Sequence, residues 1–197
     1  MPMQPVPLDK ASRLLNHGPT VLVGSAHAGR INVMAAAWAM PLDFDPPKIA
    51  VVIDKATLTR ELVDASGVLS VCVPCVAQAD LTRAVGGESG KDHPDKLQRC
   101  GSTFEPGPLT GCPLVQGAIA WMECRVLPAT AFVAGPHDLI LAEVVSAWAD
   151  ERVFSAGRWH FETAPDELRS LHHVAGGFFY AVGAEVLPLR KQAKDKT

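Results

Sequence analysis

Extended, β-rich stretches that are interrupted by proline or glycine before they grow long are the feature that most narrows what this chain can become. Residues 19–25, centred on Val21-Leu22-Val23, are followed by a turn at Ala28-Gly29 and a second extended run over 31–40. The loop Asp43-Phe44-Asp45-Pro46-Pro47, whose prolines cannot continue a ladder, delivers the chain to a strand at 48–53. Further strand-like runs lie at 68–73, 117–127, 139–148 and 178–182. Helical spacing appears at 8–17, closed by Gly18, at 59–66, closed by Gly67, and at 76–85. Many short strands and few helices predict a mainly β fold with a few helices, arranged as a barrel. No repeat of fixed period interrupts the pattern, so 1–190 read as one domain and 191–197 as a solvated tail.

Composition removes several function classes. With 48% hydrophobic and 20% charged residues and a net charge of -3, the chain has neither the profile of a disordered protein nor a polybasic nucleic-acid surface. No apolar run reaches the roughly 20 residues that span a bilayer, so no membrane partner is expected. Met1-Pro2-Met3-Gln4-Pro5 lacks the build of a secretory signal, which predicts a cytoplasmic protein. Its five cysteines are then free thiols.

Lys55-Ala56-Thr57-Leu58-Thr59-Arg60 carries the first chemical signal, because two cations and two hydroxyls crowd the junction of a strand and a helix. The first N–H groups of a helix lack intrahelical acceptors and sit at the positive end of the macrodipole. Cations placed there suit a bound phosphate. The other reading is an ordinary N-cap by Thr57 or Thr59, with both cations in water.

Gly86-Gly87-Glu88-Ser89-Gly90-Lys91-Asp92 invites comparison with a nucleoside-triphosphate loop, but the spacing before Gly90-Lys91 is one residue short and Asp92 replaces the required hydroxyl residue. No strand leads into a Gly-x-Gly-x-x-Gly turn, so a dinucleotide-binding Rossmann unit is also absent. Gly29-Arg30-Ile31-Asn32-Val33-Met34-Ala35-Ala36-Ala37-Trp38 joins a turn, an amide and three alanines. Main-chain groups along so bare a strand suit a flat heteroaromatic ring with carbonyl and imide edges, and a tightly packed strand with Trp38 in the core fits the same residues.

Cys72-Val73-Pro74-Cys75 has dithiol spacing, yet Cys72 falls inside the strand at 68–73 rather than at a helix N-terminus, which favours a structural role. Cys100, Cys112 and Cys124 are too far apart to suggest zinc.

The order of these motifs resembles the flavin reductase-like family, flavoredoxin among its members, whose fold is an FMN-binding split β-barrel. The resemblance rests on Asn32-Val33-Met34-Ala35-Ala36-Ala37-Trp38, Pro46-Pro47, Lys55-Ala56-Thr57-Leu58-Thr59, Ser89-Gly90-Lys91-Asp92 and Asp95-Lys96 in that sequence, with later echoes through Gly135-Pro136-His137-Asp138 to Gly176-Gly177-Phe178-Phe179-Tyr180. It implies that Lys55, Thr57 and Thr59 bind the FMN phosphate, with Ala56 among them. It likewise implies that Asn32, Val33, Met34, Ala35 and Ala36, followed by Ala37, line the isoalloxazine, and that Ser89, Gly90 and Lys91 close over the cofactor. Arg60 departs from the family, which commonly has an aromatic residue there; its guanidinium either adds a phosphate contact or faces water. The resemblance further implies a homodimer, with His137, His173 or Tyr180 reaching the flavin from the partner. The expected activity is hydride transfer from NADH or NADPH to flavin, for which no protein acid or base is required; the alternative is a non-enzymatic FMN-binding electron carrier.

Overall fold

A computed structural model describes residues 3–128 and 135–186. The expected tail at 191–197 lies outside the described residues. The first half contains β1 (Met3–Pro5), α1 (Leu8–Ala11), β2 (Val21–His27), β3 (Arg30–Ala36), β4 (Ala39–Phe44), β5 (Pro47–Val52), α2 (Leu58–Ser66), β6 (Val68–Val73) and α3 (Ala79–Gly87). The second half contains α4 (Lys96–Arg99), β7 (Phe104–Pro106), β8 (Pro113–Val115), β9 (Ala120–Val126), β10 (Leu139–Asp150), β11 (Phe154–Ser155), β12 (Arg158–Trp159), β13 (Leu171–Val174) and β14 (Phe178–Ala181).

Eight strands form one antiparallel sheet in the order β3-β2-β6-β9-β10-β5-β4, with β1 also pairing β10. β3 and β4 end this order and do not pair with each other, so the curled sheet is mostly β with few helices and stays open as a split barrel. The central strands are apolar on both faces. In β2, Val21 and Val23 join the main core with Leu69 and Val71 of β6 and Met122 of β9. The intervening Leu22, Cys72 and Trp121 join a second cluster with Val33 and Val85. A period of two thus divides each strand between two apolar layers, which is why its sequence reads as a continuous hydrophobic run.

The β2–β3 turn has two central residues, Ala28 at φ +49° and Gly29 at φ +79°, the positive values of a type I′ hairpin, which glycine adopts at little steric cost. Such a turn makes the flanking pair His27 and Arg30 hydrogen-bonded and fixes the alternation onward. Asn32, Met34 and Ala36 therefore bond β2, while Ile31, Val33 and Ala35 direct their main-chain groups to the outer edge of β3.

Four expectations are corrected. The run 31–40 is two strands, because Ala37-Trp38 leaves the β2 pairing and the chain resumes as β4 against β5. Trp38 is 75% exposed and is not core. The helix over 8–17 shortens to α1 and a 3₁₀ turn over Ser12–Leu14. β14 joins no barrel strand; it forms a separate hairpin with β13.

Candidate functional site

α2 begins where the sequence predicts. Thr57 is its N-cap, accepting from Arg60 N at 3.2 Å, while its hydroxyl donates to Asp54 O at 2.7 Å. The Asp54 carboxylate accepts from Ala56 N at 2.7 Å, which tightens the approach to the helix. Among the described residues no acceptor serves the N–H of Leu58 or Thr59, so two donors stand open at the positive end of the helix. Lys55 is exposed and has no carboxylate partner among the described residues.

Arg60 does not face water. It is 8% exposed, its Nε spans both carboxylate oxygens of Asp64 at 2.8 and 2.9 Å, and its guanidinium also donates to Ile53 O and to Asp138 at 3.2 and 3.3 Å. The guanidinium ties α2 to the segment before β10.

Asn32 and Thr59, 27 positions apart, meet in the interior: Asn32 Nδ2 donates to Thr59 Oγ1 at 2.8 Å. Gly90 closes against the same amide. A Cβ on Gly90 would lie 2.6 Å from Asn32 Oδ1 and 2.9 Å from Leu58 Cδ2, so no side chain fits. Asn32, Leu58 and Gly90 border a cavity of about 290 Å³ that Arg30, Lys91, His93 and Lys96 also line. Glu61 of α2 holds Arg30 and stands 3.8 Å from Lys91, offsetting the cations at its rim. Lys96 is only 2% exposed, and its ammonium has no hydrogen bond or ion pair among the described residues; burial lowers its pKa, with Cys100 and Glu88 offsetting part of that effect. Such a lysine is costly without an anion.

A larger cavity of about 640 Å³ opens along the other end of β3, where Met34, Ala35, Ala36 and Ala37 form one wall. Thr82, Arg83, Gly86 and Gly87 of α3 face it, and His173 and Phe179 of the β13–β14 hairpin close a third side. The two cavities share a framework: Asn32 lines the polar one and Met34 the apolar one, while the α2 approach contributes Leu58 to the first and Asp54 to the second. A ligand with a flat ring and an anionic tail suits this sequence of surfaces.

Not every expected site residue borders these spaces. Val33 packs into the second core cluster. Lys55, Ala56, Thr57, Thr59 and Ser89 line neither cavity, although Ser89 Oγ accepts from Lys91 N at 3.2 Å and shapes that turn. Of the residues expected to reach the flavin from a partner, His173 lines the large cavity of its own chain, while His137 and Tyr180 are exposed elsewhere. Sequence reasoning missed Arg83 and Lys96 as lining residues; Thr82, Arg83, Gly86 and Gly87 fall at one-turn spacing on α3, a signal available in the sequence. Burial pushes the Cys72 thiol up to about 12 and also raises Cys75, which opposes a reactive dithiol.

The arrangement has counterparts. An Escherichia coli K12 protein, YddH, is 49% identical over 185 residues, covering 92% of this chain and 96% of that protein. A crystallised FMN-binding domain of a flavin reductase-like enzyme from Shewanella baltica is 48% identical, with a TM-score of 0.91 over 94% of this chain and 97% of that one. Flavoredoxin of Desulfovibrio vulgaris (Miyazaki F) is 26% identical, with a TM-score of 0.72 over 89% of this chain and 92% of that one. RutF of Stutzerimonas stutzeri, an FMN reductase (NADH), is 26% identical over 144 residues, covering 71% of this chain and 78% of that protein. The model of the flavin reductase like domain matches residues 13–169, and with the open sheet and its paired cavities this chain belongs to that family.

Proposed function

We propose that the protein binds FMN and acts as an NAD(P)H-dependent flavin reductase. The observation that carries this reading is β3 itself, which runs from a cation-lined cavity beside free helix N–H groups to an apolar cavity walled by small side chains. Names among the relatives point the same way: the Shewanella domain binds FMN, and RutF is an FMN reductase using NADH. When bound, FMN supplies a ring atom that takes hydride from a reduced nicotinamide and passes electrons onward.

The chain's own residues have distinct tasks. Met34, Ala35, Ala36 and Ala37 let a flat ring approach the strand, and the outward N–H and C=O of Ala35 meet its polar edge. The Leu58 and Thr59 N–H groups, with Lys55, receive the phosphate ester. Thr59 fixes the Asn32 amide, while Gly90 and Lys91 close the polar cavity and Lys96 adds a buried charge to it. His173 and Phe179 shelter the larger cavity, leaving space for a second ring.

The partner reading is a homodimer. Trp38, Met40, Leu42 and Phe44 alternate along the edge strand β4 and its approach, and all are exposed, a stripe that a second copy would cover. Among the described residues no helix is long and apolar enough to cross a membrane, and cytoplasmic work with soluble nucleotides accords with this reading.

Anaerobic mixing of the protein with FMN and NADH or NADPH tests the activity through flavin absorbance. Catalytic bleaching of excess flavin is expected; no bleaching by either nucleotide would refute the reductase and favour the electron carrier.

A further inference from the structure

Most polar groups around the 640 Å³ cavity are already engaged. The Thr82 hydroxyl donates to Gln78 O at 2.8 Å, Thr20 Oγ1 accepts from His173 N at 2.8 Å, and the Asp54 carboxylate accepts from Ala56 N. Three side-chain groups are left, one of them the indole N–H of the exposed Trp38. The Arg83 guanidinium has no carboxylate or carbonyl partner among the described residues, and the His173 ring nitrogens make no hydrogen bond there, the imidazole meeting only the edge of Phe179 at 5.6 Å. By contrast Arg30, Arg60, Arg99, Arg152, Arg158 and Arg169 each pair with a carboxylate. Arg125 likewise has no side-chain partner among the described residues, but Arg83 is the arginine that lines the large cavity, with an imidazole on the neighbouring wall.

We infer that Arg83 anchors a phosphate of the pyridine nucleotide that shares this cavity with the flavin, so that α3 selects phosphorylated nicotinamides. The inference rests on the flavin reading of β3. If the ring lies against Ala35 to Ala37, the α3 wall is left for the second substrate, and a guanidinium offers planar, bidentate recognition of a phosphate. Arg83 is exposed at the cavity mouth, so its guanidinium is free of any internal carboxylate and open to an incoming phosphate. Arg83 is a specificity residue in this account, with no part in the hydride step.

The test uses FMN-loaded full-length protein titrated calorimetrically with nicotinamide mononucleotide and with nicotinamide riboside, which lacks the phosphate. Wild type should bind the mononucleotide about tenfold more tightly than the riboside. Arg83→Gln should abolish that preference and leave riboside binding unchanged, while Arg83→Lys should keep part of it. FMN affinity, followed by flavin fluorescence, should change less than about twofold in either variant. An unchanged preference in Arg83→Gln overturns the inference, as does wild-type protein that binds neither nucleotide compound or shows no preference. A selective loss of FMN over riboflavin would overturn it by assigning Arg83 to the cofactor. Wild-type protein that binds no FMN would sink the flavin reading itself, a result distinct from all of these.

Discussion

Replacing Thr59 by Val probes the contact that joins β3 to α2. The Thr59 side chain is wholly out of solvent and its Oγ1 accepts the Asn32 Nδ2 hydrogen bond at 2.8 Å. Valine keeps the branched shape but removes the acceptor, and Asn32, only 3% exposed, has little water to replace it. Stranding a buried donor costs about 1–3 kcal/mol. For a chain of this length each kcal/mol lowers the melting temperature by about 2–4 °C, so the midpoint should fall by about 2–12 °C. Asn32→Ala should cost a similar amount. If both act through this one bond, the double variant should lose little more than either single variant, leaving a coupling of about 1 kcal/mol or more. Urea unfolding of the four apo proteins measures the cycle. Additivity within about 0.5 kcal/mol, or a Thr59→Val midpoint within about 1 °C of wild type, would refute the reasoning.

Other perturbations have equally definite outcomes. Lys96→Met should weaken FMN binding about tenfold or more while leaving riboflavin unchanged, as read by flavin fluorescence; parallel losses for both ligands would remove Lys96 from the phosphate. Burial, aided by His172, lowers the His17 pKa to about 4, so the unfolded chain takes a proton near pH 6.5 that the folded protein refuses. This group's contribution is therefore present above about pH 6.5 and is lost as pH falls toward 4, amounting to about 3 kcal/mol. Urea midpoints of His17→Gln should show that much less acid sensitivity than wild type. Glu123, fully buried, accepts from Leu109 N, Thr110 N, Thr110 Oγ1 and Ser146 Oγ at 2.7–3.0 Å, so Glu123→Gln should cost about 2–4 kcal/mol and loosen residues 107–112 to hydrogen exchange. Phe44→Glu on the β4 stripe should shift the sedimentation coefficient to that of a monomer; an unchanged species would place any dimer contact elsewhere.

Local signals made α2 legible in the sequence: a hydroxyl N-cap, apolar spacing and a closing glycine all lie within eleven consecutive residues. The central strands were legible for a similar reason, since two-sided burial leaves unbroken apolar runs such as 68–73. Non-local pairing was not. Nothing at Ala37-Trp38 announces that the chain abandons β2 for β5, and the exposed Trp38 reads as a core residue until the sheet's open edge is known. Short strands such as β7 and β8 carry too few residues for a period. Arg60 read as either a phosphate contact or a solvent-facing cation; its nearer carboxylate, Asp64, lies one turn on and was available to the eye, whereas Ile53 O and Asp138, 78 positions away, come to it only through the fold. Lys96 stood within a recognised motif, but its burial and lack of a partner follow only from packing around Asn32 and Gly90.

The most direct measurement is a crystal structure of the protein grown with FMN. The account predicts the isoalloxazine against Met34, Ala35, Ala36 and Ala37, and the phosphate between the Leu58 and Thr59 N–H groups and the Gly90-Lys91 turn. A ring lying away from the outer edge of β3, or a phosphate pointing into solvent with both cavities free of cofactor, would contradict it.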